Sequence, residues 1–507
     1  MACIDYKPYD MDTPYLFPPS LADFLGPEDE VHIFREVTEE LDISYLDGDY
    51  GGMGQYPHHP RMLLRLLLWG MANRVVSTRR IEVMARRDVS FIYLAGGQRP
   101  SYRTLSRFRR RNAGEIKRLF QQTVLLCARL GMIGLGHIAL DGTKLKAYTS
   151  RHGAMSYGRM KQEEERLSKE IDALMEQAEV LDREEGCAFG EDSNGYNLPE
   201  ELKRREGRLA RIRSLREQLE CEKRQEQHLD AGQPPIVDDR EQRSFADHDA
   251  RMMLMKRGEF DYGYNGQVCV DEAQGIILAG ELTNEAFDGG HLPAMVDEVR
   301  KVREEVGAAD DEVTQVTADR GYFSVANIEQ EGEGIELLIA SEREGKEEPQ
   351  REKAYSVERF DYVTEDDLWR CPGGRLLLRD QKRETLGRPL LRRYICPDCD
   401  GCPLRRLCLR SGEEHRTLLV KRKQLIRAEM RARLKMPQKQ AVYRKRKWVA
   451  EQNIGQIKEG LGFRGVTVRG RVYARAQWLL ALAVHNLLKA MRFIAGVRRR
   501  EALAATA

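Results

Sequence analysis

The chain has 507 residues, 41% of them hydrophobic and 32% charged, with 83 Lys and Arg against 81 Asp and Glu for a net charge of +2. At about 100–200 residues per domain, this length allows two to four domains with ample core. It excludes a mini-protein, and the composition excludes a membrane protein and a wholly disordered chain. With charge so nearly balanced, any nucleic-acid surface has to be a local patch and not a global field.

The opening MACIDYKPYD MDTPYLFPPS has no basic segment followed by an apolar run, so a cytoplasmic location is expected. Residues 1–55, rich in Pro, Asp, Tyr and Gly, read as an N-terminal arm. Pro60 then opens a core helix marked by Met62, Leu63, Leu66, Leu67 and Met71. The most apolar stretches, Leu63–Met71 and Trp478–Leu488, are short or carry Arg65, His485 and Asn486, which fits buried helices and implies no membrane. Ser77 and Ser101 can each cap a short helix, with Gly96 and Gly97 in the turn between. The second of these helices carries Arg103, Arg107, Arg109, Arg110 and Arg111. Residues 56–130 therefore read as a helical, helix-turn-helix-like DNA-binding domain, the alternative being that the arginines form a solvated face.

HIALDGTKL at 137–145 alternates as a strand and delivers Asp141 at its end, with Gly142 as the expected break. Residues 157–235 are highly charged, with Leu167, Ile171, Leu174, Ala178 and Leu181 on a heptad seam and Leu202, Leu209, Ile212, Leu215 and Leu219 on a second helix. An inserted antiparallel helical hairpin is the simplest arrangement, serving structure or dimer formation. After Pro234 and Pro235 the texture turns to β: a hairpin of YNGQVCV and IILAGELT, a helix from about 290 to 306, a strand presenting Asp319, a helix near Ser324, and the strand IELLIAS. Residues 131–156 and 236–341 thus supply a mixed α/β sheet.

Residues 342–420 read as irregular and hold Cys371, Cys396, Cys399, Cys402 and Cys408. Crowded cysteines in a reducing compartment point to a metal, and tetrahedral Zn²⁺ takes four thiolates, so one of the five is surplus. Residues 421–495 return to helices, and 496–507 form a basic, Ala-rich tail. Within AVYRKRKWVAEQNIGQIKEG, the positions Ala450, Ile454, Ile457 and Leu461 make one apolar stripe, while Arg444, Lys447, Glu451, Gly455 and Lys458 share another face. The last helix, from Ala474 to about Arg492, is apolar nearly all round and belongs in the core.

Two aspartates at strand ends and a glutamate on a late helix are the hard oxygen ligands that a two-metal phosphoryl-transfer site requires. They lie 178 and 132 residues apart, so the pattern alone says nothing about their proximity. DGTKLKA, YNGQVCVD with LTNEAFDGG, ADRGYFS, and AEQNIGQIKEGLGFRGVTVRG with HNLLK resemble the DDE transposases of bacterial insertion sequences, in particular the group numbered 1182. The likeness runs from about Pro57 almost to the C-terminus.

The resemblance implies an RNase H-like catalytic core holding two Mg²⁺ (or Mn²⁺) ions on Asp141, Asp319 and Glu451. It implies cleavage at the ends of the element and strand transfer into target DNA. Lys458 follows Glu451 at the family spacing as a contact to the end DNA. Tyr443 and Arg446 stand one residue too far upstream, so either Arg446 or Lys447 fills the family arginine's place. Similar proteins favour Cys371, Cys399, Cys402 and Cys408 for a structural Zn²⁺ and leave Cys396 over.

Further DNA contacts fall on Arg103, Arg107, Arg110, Arg444, Lys447, Arg464 and Arg469. The expected partners are terminal-repeat and target DNA and, because two ends must be paired, a second copy of the chain. A transposase-derived binding protein without catalysis, or a nuclease that cuts without joining, are the alternatives.

Overall fold

The computed structural model describes residues 20–46, 57–189, 200–230, 232–255, 258–308, 312–341, 355, 357–381, 391–409 and 412–506. Much of the N-terminal arm, including residues 1–19, and the link between the hairpin helices lie outside the described residues. The chain opens with α1 (Glu30–Glu39), whose first turn is capped by Asp29 accepting from the Val31 amide at 3.0 Å. Pro60 does begin α2 (Pro60–Ala72), at a position where no backbone donor is missed. Then come α3 (Thr78–Arg87), α4 (Val89–Leu94), α5 (Tyr102–Arg111) and α6 (Ile116–Arg129). Ser101 caps α5 by accepting from the Thr104 amide, whereas Ser77 precedes α3 without a side-chain cap.

The sheet begins with β1 (His137–Lys146), which runs five residues past Asp141. The expected break at Gly142 does not occur. A small ladder of β2 (Ala154–Ser156) with β3 (Gln242–Ser244) brackets α7 (Tyr157–Phe189) and α8 (Glu200–Glu226), the expected helical hairpin. Met160, Leu167 and Ile171 of α7 pack on Leu209, Ile212 and Leu215 of α8. Next are β4 (Arg251–Leu254), β5 (Phe260–Asp271), β6 (Ile277–Thr283), α9 (Leu292–Val306), β7 (Thr314–Ala318), a single helical turn α10 (Val325–Ile328) and β8 (Ile335–Ile339).

In the six-stranded sheet, β5 pairs antiparallel with β4, β6 and β1, while β1, β7 and β8 run parallel. This mixed sheet flanked by helices is compatible with an RNase H-like core.

The cysteine-bearing stretch, expected to be irregular, instead forms a second sheet of five short antiparallel strands. These are β9 (Asp361–Val363), β10 (Leu368–Arg370), β11 (Leu376–Arg379), β12 (Leu391–Ile395) and β13 (Thr417–Lys421), with the short helix α11 (Arg405–Cys408) before the last. Tyr362 and Tyr394 both donate to Asp367 Oδ1, at 2.8 and 2.7 Å, and tie the strands over the buried Trp369. The chain ends with α12 (Arg422–Lys435), α13 (Pro437–Gly455), a π-helical turn over Gln456–Gly460 and α14 (Arg471–Thr506).

Although α14 is long and apolar enough to cross a membrane by length and composition, its segment from Trp478 to Leu487 is buried. It packs on α6, β6, α1 and α2. A Cβ on Gly280 of β6 would overlap Leu482 Cδ1, and one on Gly266 of β5 would lie 2.9 Å from the Trp478 ring, so glycine lets the helix lie close on the sheet. Residues of α1, α2, α6, β1, β5, β7 and α14 belong to one hydrophobic cluster, so the N-terminal helices and the sheet fold around a common core.

Within that core His485 donates Nε2–H to the Gly275 carbonyl at 3.2 Å. Burial, with Lys489 and Arg492 adding repulsion, pulls its pKa down from the usual value to about 3. The native state therefore holds this ring neutral where the unfolded chain would protonate it. Its contribution is complete above about pH 6.5 and is lost as pH falls towards 3, at about 1.4 kcal/mol per pH unit. Urea unfolding at pH 7.5 and pH 5 is expected to show His485→Asn losing about 2 kcal/mol less stability across that interval than the wild-type chain.

Candidate active site

Adjacent strands bring the two predicted aspartates level. The parallel pair β1–β7 sets Ala139 beside Thr317, so Asp141 and Asp319, each two residues further on, reach the same height on neighbouring strands. Such strands lie about 4.8 Å apart. His137 fixes this register. Its pKa is lowered by burial, and as a neutral ring it donates Nδ1–H to Glu272 at 2.8 Å while Nε2 accepts from the Thr317 hydroxyl at 2.9 Å. Asp319 ends β7 and caps the turn Arg320–Tyr322, accepting from the Gly321 amide at 2.8 Å. Asp141 accepts from the Gly142 amide, also at 2.8 Å.

Asp141 stands opposite Val268, on the sheet face that α14 covers through Gly266 and Gly280. Its carboxyl is pushed up to about 6, chiefly by burial, which the Arg446 guanidinium and the Gly142 amide oppose and to which Asp319 and Asp288 add. Arg446 belongs to α13 and lies 5.7 Å from the Tyr443 ring centroid. Its Nε is buried without a hydrogen-bond partner among the described residues. Of the two candidates for the family arginine's place, Arg446 is thus the one whose charge acts on Asp141, while Lys447 is exposed.

Asp288 was not expected in the site. It reaches the aspartate pair from the other sheet face, where Gly142 stands opposite Gln267. Its Oδ1 accepts from Asn265 Nδ2 at 2.6 Å, Gln267 Nε2 at 2.9 Å and Lys144 Nζ at 3.3 Å. The buried Tyr322 hydroxyl donates to Gln267 Oε1, which orients the amide so that its nitrogen faces Asp288. A Cβ on Gly142 would lie 2.7 Å from Asp288 Oδ1 and 2.8 Å from Gln267 Nε2. Glycine is needed here for close approach and not to end a strand. The signal available was the block LTNEAFDGG, in which the acid precedes two glycines.

Glu451 sits on α13, which crosses β1, β5 and β7 with Ala450 and Ile454 buried beneath it. Three ties hold this helix. Lys439 pairs with Glu336 of β8, Lys445 pairs with Glu272 at 2.7 Å, and beyond the helix Lys458 donates to the Lys144 carbonyl of β1 at 2.9 Å. Glu451 itself is exposed and makes no ion pair with a described residue. The π-turn just after it is a distortion that often accompanies functional sites. Asp141, Asp319 and Asp288 are brought together, and Glu451 lies on the helix over the same strands. Among the described residues, no three His, Cys, Asp or Glu side chains are placed to hold one ion.

The five cysteines line one small enclosed cavity between the strands of the second sheet and α11. Cys371 Sγ accepts from the Arg375 amide at 3.3 Å and Cys399 Sγ from the Arg416 amide at 3.4 Å. Burial pushes the Cys396 thiol up to about 12 and also raises that of Cys408. Of the expected DNA contacts, Arg103 and Arg107 are exposed on α5, and Arg110 lies 5.1 Å from the Tyr473 ring centroid at the start of α14. Arg444 and Lys447 are exposed on α13, Arg464 pairs with Glu459, and Arg469 approaches Tyr148.

A mixed sheet with acidic side chains on adjacent parallel strands belongs to a class compatible with nucleic-acid phosphoryl transfer on an RNase H-like frame. Residues 370–491 match the family model described as a transposase DDE domain, and residues 20–111 match that described as a transposase domain (DUF772). These two matches are consistent with a DDE-type insertion-sequence transposase. The first match spans Glu451, Lys458 and all five cysteines of the cluster, the second spans α1 to α5, and neither reaches Asp141 or Asp319. No curated protein and no solved structure matches the chain.

Replacing Gly142 by Ala should displace Asp288 and Gln267 and lower stability by about 1–3 kcal/mol, read as a lower urea midpoint. Alanine at Gly114, where a Cβ meets nothing within 4 Å, is the control.

Proposed function

We propose that this transposase cleaves DNA at the ends of an insertion sequence and joins the freed 3′ ends to target DNA, using Asp141, Asp319 and Glu451 to hold two Mg²⁺ or Mn²⁺ ions. The observation that carries this reading is the level placement of Asp141 and Asp319, with the Asp141 carboxylate disfavoured by burial and by its acidic neighbours. An all-oxygen donor set under like-charge strain, countered only partly by Arg446, suits a hard divalent cation. When bound, such a metal pair supplies electrostatic stabilisation of the attacking and leaving oxygens of an in-line displacement.

The chain's own residues do the rest. Asp141 and Asp319 are fixed by strand register and by the Gly142 and Gly321 amides, so they need little reordering to act. Glu451 completes the oxygen set from α13. Lys458 and Arg446 bring positive charge to the strand carrying Asp141, where a DNA phosphate would sit. Arg103, Arg107 and Arg110 of a helix-turn-helix-like N-terminal region, with Arg444, Lys447, Arg464 and Arg469, grip the backbone of terminal-repeat and target DNA. Two copies of the chain pair the two ends. The reaction belongs to the cytoplasm, on the nucleoid.

Strand transfer from pre-cut ends, followed on a sequencing gel, tests this assignment. Asp141→Asn, Asp319→Asn and Glu451→Gln should each fall to background, roughly 10²-fold or more below the wild type, while end binding in EDTA persists. Cleavage without joining by the wild-type chain would leave only a nuclease, and binding without either would leave a catalytically silent DNA-binding protein.

The same reading places a structural Zn²⁺ on four of Cys371, Cys396, Cys399, Cys402 and Cys408. Thiolate is the donor that zinc takes, and the five thiols share one cavity with backbone amides aimed at two of the sulfurs, although no three of them are placed to hold one ion as they stand. Plasma emission analysis should find about one zinc per chain. Cys399→Ser should lose it and lower the melting temperature, and a metal-free chain with an unchanged melting curve would remove the assignment.

A further inference from the structure

Beyond Lys146 the strand carrying Asp141 leads into an open groove, of which the assignments above use only Arg464 and Arg469 as backbone contacts. Lys146, Tyr148, Thr149, Arg464, Gly465 and Arg469 line it, and its volume is about 470 Å³, within the range of a pocket for a small molecule. No acidic side chain among the described residues lines it. Its floor is built. Lys146 N donates to the Arg464 carbonyl at 3.3 Å and Val466 N to the Lys146 carbonyl at 2.9 Å, so the 464–466 loop is stitched to the end of β1. Gly465 permits this closeness, since a Cβ there would lie 2.6 Å from the Lys146 carbonyl oxygen.

Out of this floor stands Tyr148, 55% exposed, with the Arg469 guanidinium 5.5 Å from its ring centroid. A single exposed aromatic residue is ordinary on a protein surface. An exposed aromatic beside an arginine, in a basic groove continuous with a phosphoryl-transfer strand, is the arrangement that binds unpaired nucleotides by stacking and cation contact. Lys146 is 62% exposed and pairs with Asp261 at 2.9 Å, and Arg464 pairs with Glu459 at the surface, so both cations remain within reach of a phosphate. Tyr148 lies seven residues beyond Asp141, at most roughly 23 Å along an extended chain, which is less than one turn of duplex DNA at about 34 Å. One DNA molecule can therefore engage the carboxylates and this groove together.

We propose that the groove takes an unpaired base of the DNA strand, stacked on Tyr148 and held at its phosphate by Arg469 and Lys146. The idea rests on the DNA-processing reading above and adds to it that the bound DNA is locally opened near the reacting phosphate. Because Tyr148 is half in solvent, its replacement should leave the fold intact, which a melting curve checks.

The test is binding of the full chain in EDTA to a single-stranded 20-mer carrying 2-aminopurine and to its duplex, by anisotropy and by quenching of the probe. Tyr148→Ala should weaken single-strand binding about tenfold and abolish quenching, Tyr148→Phe should keep both, and duplex affinity should stay the same. Equal loss on both DNAs would reduce Tyr148 to a general contact, and unchanged single-strand binding would overturn the proposal outright. Asp141→Asn should keep the Tyr148-dependent quenching. Failure of that variant to lose strand transfer would strike the catalytic reading and leave the groove standing.

Discussion

The parallel pairing of β1 with β7 is the constraint on which the rest depends. It sets two carboxylates side by side at one height, and burial disfavours the charge on Asp141. Such a pair is a liability unless a cation, a proton or both relieve it. The chain supplies one partial counter-charge in Arg446 and amide donors in Gly142 and Gly321, and it adds a third acid, Asp288, whose own carboxylate accepts from the Lys144 ammonium.

The surrounding fold keeps that strain from relaxing. α14 runs through the common core and lies close on β5 and β6 because Gly266 and Gly280 have no side chains. α13 is tied to β8, to the β5 end and, just past its C-terminus, to β1, so the helix bearing Glu451 cannot slide independently of the aspartates. The N-terminal helices share the same core, which couples any DNA held on α5 to the sheet mechanically. By contrast, the cysteine sheet and the helical hairpin have small cores of their own. They attach to the catalytic frame without being part of it.

Much of this frame could be read from the sequence, and the reasons are local. Pro60, Ser101, the alternation in HIALDGTKL and the heptad seam from Leu167 each reflect short-range rules, and the elements they mark are present. Gly142 misled because a glycine after an acid looks like a terminator, whereas its role is to admit Asp288 and Gln267 from across the sheet. Asp288 itself is a loop residue whose partners Asn265 and Gln267 lie more than twenty residues upstream, so no periodicity betrays it. The strands of the cysteine region are three to five residues long and are cut by Gly, Pro and Cys, too short for a period to register. Arg446 looks like one more cation in the run RKRK, and only the packing of α13 shows that it is the one acting on Asp141.

Three acidic side chains, far apart in sequence, are proposed here to share bound metal. Iron-directed cleavage tests it most directly, because Fe²⁺ substituted for the divalent ion generates hydroxyl radicals that cut the polypeptide next to wherever it is held. Ascorbate-dependent cuts near Asp141, Asp319 and Glu451 together, all competed away by Mg²⁺, are the expected result. Cuts near the two aspartates with none near Glu451, or cuts that Mg²⁺ does not suppress, would contradict it.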